Sequence, residues 1–133
     1  MGKILIIDDD LAFTNLLTSD VHATCPLLKV EVCNNPVSAL ALIRKGDNDL
    51  LLIDLEMPAL DGMKIYRYAT EAGVQKNRIV ILSARDPDYL REFFPMGSCL
   101  AVLNKFEARQ KEVLSMILKS LNSKLCSCPS QGN

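Results

Sequence analysis

This sequence has little excess of either sign of charge. Its 15 lysines and arginines meet 16 acids, for a formal net charge of −1 and a pI of about 5.8. No helix lined with Lys and Arg can be drawn, so there is no electrostatic footprint for direct nucleic-acid binding. Long apolar runs are missing too: none approaches the ~20 residues that a membrane-spanning helix needs. Met1-Gly2-Lys3 leads straight into Ile4-Leu5-Ile6-Ile7, a stretch too short for a secretory signal and without a cleavage pattern. Gly2 lacks the downstream Ser or Thr of a myristoylation motif. These absences predict a cytoplasmic protein with no membrane partner. His22 is the single histidine, and Cys25, Cys33, Cys99, Cys126 and Cys128 form no Cys-x-x-Cys pair. A zinc site needs about four nitrogen or sulfur ligands at suitable spacing, and Cys126-Ser127-Cys128 is only a weak metal or redox signal. Cys33 and Cys99 fall in strand-like stretches and read as small core residues. Cys126-Ser127-Cys128 reads as two thiols in a frayed end.

What is present suits one globular domain: 133 residues, 49% hydrophobic and 23% charged, enough for a proper core. The most informative stretch is LLLIDLEMPALDG, residues Leu50 to Gly62. A continuous apolar run bounded by turn residues marks a strand buried on both faces. Asp54 then stands at its carboxyl end, where open α/β sheets keep their chemistry.

The remaining chain alternates in the same manner. Ile4–Ile7 is a first strand ending in Asp8-Asp9-Asp10. A helix follows from Leu11, with Phe13, Leu16, Leu17 and Val21 as its apolar stripe and an acid as its cap. Leu28–Val32 alternates apolar and polar, as an edge strand does. Asn35-Pro36 opens a second helix, with Ala39, Leu40 and Ile43 inward and Gly46 as terminator. A third helix runs from Gly62 to Ala72 with Met63, Tyr66 and Ala69 inward. Arg78–Leu82 is a fourth strand ending at Ser83, and Pro87–Phe94 a short fourth helix. Leu100–Leu103 is a fifth strand ending at Asn104-Lys105. The last helix covers Glu107–Leu121, with Val113, Leu114, Ile117, Leu118 and Leu121 at helical spacing.

Five strand–helix alternations predict a doubly wound parallel sheet with helices on both faces and right-handed crossovers. The flavodoxin-like order 2-1-3-4-5 and an order beginning 3-2-1 both satisfy this; the polar-faced second strand favours the former. That order gathers Asp8 and Asp9, Asp54, Ser83 and Lys105 at one sheet edge. Singly, each has a plain reading: a helix cap for Asp9 or Asp10, a turn acid, a loop hydroxyl, a surface cation. Together they suit phosphoryl chemistry. Crowded carboxylates repel unless a cation neutralises them, and hard oxygen ligands suit Mg²⁺. A lysine and a hydroxyl would complete the charge neutralisation around a phosphoryl group on Asp54.

IIDDD, LLIDLEMPALDG, ILSA and a lysine closing the fifth strand resemble the receiver domain of two-component response regulators, over about residues 3–121. The receiver is expected over residues 1–122, and since the chain turns polar and Ser-rich after Asn122, a disordered tail is expected over 123–133. The resemblance implies that Asp54 takes a phosphoryl group from a histidine kinase or a phosphotransfer protein. Asp9 is then a direct Mg²⁺ ligand, Asp8 acts through water, and the backbone carbonyl of Glu56 joins Asp54 in the metal shell. Lys105 pairs with the phosphoryl group and Ser83 moves to hydrogen-bond it. That movement biases a surface formed by the fourth helix, fifth strand and last helix, which meets a downstream protein or output domain, or a second copy. Such a domain catalyses only its own phosphorylation and dephosphorylation and is not otherwise an enzyme.

Two positions depart from the family pattern. Phe106 follows Lys105 where receivers usually have a cis proline, and a non-proline cis bond costs about 3 kcal/mol. Val102 stands where an aromatic usually reports phosphorylation. They leave open a second reading, a pseudo-receiver that binds partners without phosphorylation. An aspartyl phosphatase would use Glu56 as second acid, but no insertion large enough for a substrate cap exists. A flavin site lacks the phosphate-cradling turn. Glu56 and Arg85, each two residues beyond a strand end, are expected to pair across the pocket mouth and limit water's approach.

Overall fold

A run of five apolar or weakly polar residues can be buried as a strand only if both faces of the sheet are covered, and the fold supplies that cover. A computed structural model of the chain describes residues 2–57, 61–85, 90, 92–95, 97–105 and 107–126. The strands are β1 (Lys3–Ile7), β2 (Lys29–Cys33), β3 (Leu50–Asp54), β4 (Ile79–Ser83) and β5 (Ala101–Asn104). The helices are α1 (Leu11–Thr24), α2 (Pro36–Lys45), α3 (Gly62–Glu71) and α4 (Ala108–Cys126), and a 3₁₀ turn at Lys76–Arg78 enters β4. All neighbours pair in parallel, in the order β2-β1-β3-β4-β5. The flavodoxin-like order is thus the one adopted.

Alternation along the strands divides the core. Ile4, Ile6, Leu50, Leu52, Val80, Leu82 and Leu103 face Leu17 and Val21 of α1 and Leu114 and Leu118 of α4. Leu5, Ile7, Leu51, Ile53, Ile79 and Ile81 face Ala39 and Ile43 of α2 and Ile65 and Ala69 of α3. The helices start where short polar side chains cap them: Asp10 accepts from Phe13 N–H, Asn35 from Val37 and Ser38, and Asp61 from Met63. Gly46, with φ 77°, closes α2 in the left-handed conformation expected of it.

Several details correct the sequence reading. Leu16 is 52% exposed, and its place in the α1 stripe is taken by Thr14, whose hydroxyl donates to the Leu11 carbonyl at 3.2 Å. That local bond makes a polar residue cheap to bury. On α3 it is Ile65 that is fully buried, while Met63 and Tyr66 lie at the core margin. Tyr66 stays there because its hydroxyl donates to the Ser98 carbonyl while its ring meets Phe94 edge-on. The expected tail from residue 123 is displaced, since α4 continues to Cys126. Nothing between Asn122 and Cys126 breaks a helix, the next proline being Pro129. Residues 127–133, including Cys128, lie outside the described residues. Of the short helix expected over Pro87–Phe94, Leu90, Glu92 and Phe93 are helical, and 87–89 and 91 lie outside the described residues.

One glycine controls how β3 hands over to α3. A Cβ on Gly62 would stand 2.4 Å from the Asp54 carbonyl oxygen and 2.6 Å from Leu55 Cα. Both are backbone atoms, so the helix start would have to back away from the strand end that carries Asp54. Gly62→Ala is expected to lower stability by about 2 kcal/mol, the usual scale for overpacking, measured by urea unfolding. Wild-type stability in this variant would show that the close approach is not structurally required.

Candidate phosphoryl-transfer site

Parallel register carries the strand ends to one edge. Ile7 lies opposite Ile53, Asp54 opposite Leu82, and Ser83 opposite Asn104. The next residues, Asp8 and Lys105, therefore fall beside Asp54 and Ser83. Asp8, Asp54, Ser83 and Lys105, together with Thr14, are the buried polar residues among those described. Burial of polar groups is concentrated at this edge, although such burial costs free energy unless the groups find partners.

The partners are specific. Lys105 Nζ lies 2.9 Å from Asp8 Oδ2 and 3.7 Å from Asp54 Oδ2. The Asp8 contact is a close, buried ion pair. Below the ammonium, the Phe13 ring from α1 stands 4.5 Å away, centroid to Nζ, a cation–π contact. Asp8 Oδ1 accepts Asp10 N–H at 3.0 Å and Asp54 Oδ1 accepts Glu56 N–H at 3.1 Å. Asp9 is exposed at the rim, and one carboxylate oxygen each from Asp8, Asp9 and Asp54 lie within 4.8 Å of one another. Because Asp10 serves as the α1 cap, Asp8 and Asp9 are both available to the cluster.

Three carboxylates face one ammonium here, a shortfall of two positive charges. The set of hard oxygens and the size of the deficit both fit a divalent cation. The strain shows in Asp54. Burial pushes its carboxyl up to about 7; Glu56 N–H and the Lys105 charge hold it down, and Asp8 adds to the rise. For Lys105, burial works against the charged form, but Asp8, Asp54 and Asp10 raise its pKa above the ordinary value on balance.

Beside this cluster, Glu56 reaches from the loop after β3 to the end of β4. Its carboxylate accepts the Ser83 hydroxyl at 3.0 Å and Ala84 N–H at 2.8 Å, and pairs with Arg85 Nε at 3.1 Å. The expected Glu56–Arg85 pair therefore forms. Asn104 donates to the Arg85 carbonyl at 3.2 Å, and Lys105 N–H to the Ser83 carbonyl at 2.9 Å.

The family model described as the response regulator receiver domain matches residues 4–118. The chain belongs to this family. Response regulator MprA of Mycobacterium leprae is 30% identical over 122 residues, an alignment covering 82% of this chain and 52% of MprA. This chain spans at most about half the length of the curated relatives it matches. The signal receiver domain of a DNA binding response regulator from Colwellia psychrerythraea is 25% identical, with a TM-score of 0.70 over 88% of this chain and 98% of that one. TrrA of Thermotoga maritima, solved in complex with Mg²⁺-BeF, shares the fold: TM-score 0.74, 21% identity, over 91% of this chain and 99% of that one.

All six residues singled out in this receiver, Asp8, Asp9, Asp54, Glu56, Ser83 and Lys105, reach one edge. Phe13 was legible only as a stripe residue, and its contact with Lys105 depends on how α1 lies over the sheet. Asn104 carried no signal beyond its place before Lys105. Val102 lies opposite Ile81 and packs, half-buried, into the α2–α3 side of the core. Phe106, and with it the bond after Lys105, lies outside the described residues. No described helix is long and apolar enough to cross a membrane.

The raised Asp54 pKa has a stability consequence. The unfolded chain releases this proton near 3.8 and the folded one near 7. Between those values the folded state binds more protons, so its stability falls as pH rises through the window. Asp54→Asn removes the term. Without divalent cations, its stability gain over wild type should be absent near pH 4, grow to about pH 7 and then level, reaching on the order of 2 kcal/mol. Thermal unfolding across pH measures this, and a gain independent of pH would contradict it.

Proposed function

We propose that this receiver is a phosphoacceptor switch in which Asp54 takes a phosphoryl group from a phosphohistidine of a histidine kinase or phosphotransfer protein. The supporting observation is the placement of Asp54: 2% exposed at the carboxyl edge of the central strand, with Lys105 Nζ 3.7 Å from its Oδ2 and carboxylate oxygens of Asp8 and Asp9 within 4.8 Å. One Asp54 carboxylate oxygen attacks phosphorus, the phosphorus–oxygen bond forms, and the phosphorus–nitrogen bond breaks with its electron pair returning to the imidazole. Asp8, Asp9, Asp54 and the backbone carbonyl of Glu56 would hold Mg²⁺, which when bound offsets the negative charge of the acids and the incoming phosphoryl oxygens. Glu56 N–H fixes the Asp54 carboxylate by holding Oδ1. Lys105 neutralises charge on the other side, and Ser83 turns to donate to a phosphoryl oxygen. The domain performs this chemistry on itself alone, with small phosphodonors as well as with its partner.

Output passes to a downstream protein or attached domain through β5 and the adjoining face of α4, where Leu100, Val113 and Met116 are exposed; a homodimer would use the same face. The receiver itself extends through the end of α4 at Cys126 and works in the cytoplasm without direct contact to nucleic acid or membrane.

Incubation with Mg²⁺ and acetyl phosphate followed by intact mass measurement tests the reading. A phosphoryl adduct on wild type that is absent from Asp54→Asn is the expected result. No adduct on wild type, or an equal adduct on the variant, would overturn it, the former pointing to phosphorylation-independent binding.

A further inference from the structure

The loops after β3 and β4 are joined through one carboxylate, and Ser83 is held in that joint. The Ser83 hydroxyl donates its single proton to Glu56 Oε2 at 3.0 Å, and its oxygen accepts Arg85 N–H at 3.0 Å. Glu56 is secured on either side: Oε1 takes Ala84 N–H at 2.8 Å and Oε2 meets Arg85 Nε at 3.1 Å. Ser83 is fully buried, so water does not readily replace either partner.

We propose that Glu56 is a positioning residue that latches Ser83 in the unmodified protein, so that the Ser83 hydroxyl must leave Glu56 before it can serve a phosphoryl group on Asp54. The inference rests on the phosphoacceptor reading. A hydroxyl has one proton, and two anionic acceptors, the Glu56 carboxylate and the phosphoryl oxygens, compete for it. Hydrogen bonds to charged acceptors are the stronger kind, so the latched arrangement is a well-defined state and not a loose rotamer. A ligand that needs the released arrangement binds with its affinity reduced by the fraction of protein still latched. The latch puts the bias of this equilibrium on the β3–β4 side of the site.

The test uses the full chain with Mg²⁺ and beryllofluoride as phosphoryl mimic, followed by backbone amide resonances in wild type, Glu56→Gln, Ser83→Ala and the double variant. In the free proteins, Glu56→Gln is expected to shift the Ala84 and Arg85 amides, whose positions depend on the joint. In the titrations, Glu56→Gln is expected to tighten apparent beryllofluoride binding about tenfold, the scale of one hydrogen bond to a charged group. In the Ser83→Ala background the same substitution is expected to have at most a third of that effect. An equal effect in both backgrounds overturns the latch, because Glu56 then acts through charge alone. So does unchanged affinity in Glu56→Gln, or unmoved Ala84 and Arg85 amides in the free protein. Absence of beryllofluoride uptake by every variant, with those amides shifted, overturns the phosphoacceptor reading and with it the latch's role in switching.

Discussion

Everything at the functional edge depends on the charge held by Lys105. Its ammonium sits between Asp8 and Asp54, almost out of water, with an aromatic ring beneath it. It is, among the described residues, the positive charge closest to these two buried carboxylates, at 2.9 Å from Asp8 Oδ2 and 3.7 Å from Asp54 Oδ2. The lysine is still not enough. Asp9 adds a third carboxylate at the rim, and burial, with Asp8 adding to it, draws the Asp54 pKa up to about 7. A site in this condition is receptive to positive charge. A divalent cation would relieve it.

The neighbouring network serves a different end. Glu56 stands two residues beyond Asp54, and its own N–H holds the Asp54 carboxylate while its side chain holds the end of β4. One residue therefore touches both Asp54 and Ser83. Gly62 keeps this geometry short by letting the start of α3 rest on the Asp54–Leu55 backbone. Glu56 and Gly62 of LLLIDLEMPALDG thus share one physical task, which is to fix the surroundings of a single carboxylate.

Most of this was legible from residues alone, for identifiable reasons. Strand order followed from four nearly uniform apolar runs and one alternating run, and the site from the polar residue closing each of the other strands. Where reading failed, a local bond or a third dimension intervened. Thr14 replaced Leu16 in the core because its hydroxyl found the Leu11 carbonyl. Tyr66 stayed at the margin because its hydroxyl found Ser98. α4 outran its expected end because polar residues such as Ser123 do not by themselves stop a helix. Phe13 beneath Lys105 and the Ser83–Glu56 bond could not be read, since both depend on side chains from separate elements meeting at one angle. The pairing of Glu56 with Arg85 was readable because both sit at the same offset from adjacent strand ends.

The central claim is that Asp8, Asp9, Asp54 and Lys105 form one electrostatic unit short of positive charge. Measuring Mg²⁺ dissociation constants by calorimetry for wild type, Lys105→Met and Asp54→Asn tests it most directly. Removing the ammonium deepens the deficit and removing a carboxylate relieves it. The account predicts tighter binding than wild type in Lys105→Met and binding weaker by about tenfold in Asp54→Asn. Equal constants in all three proteins, or weaker binding in Lys105→Met, would contradict it.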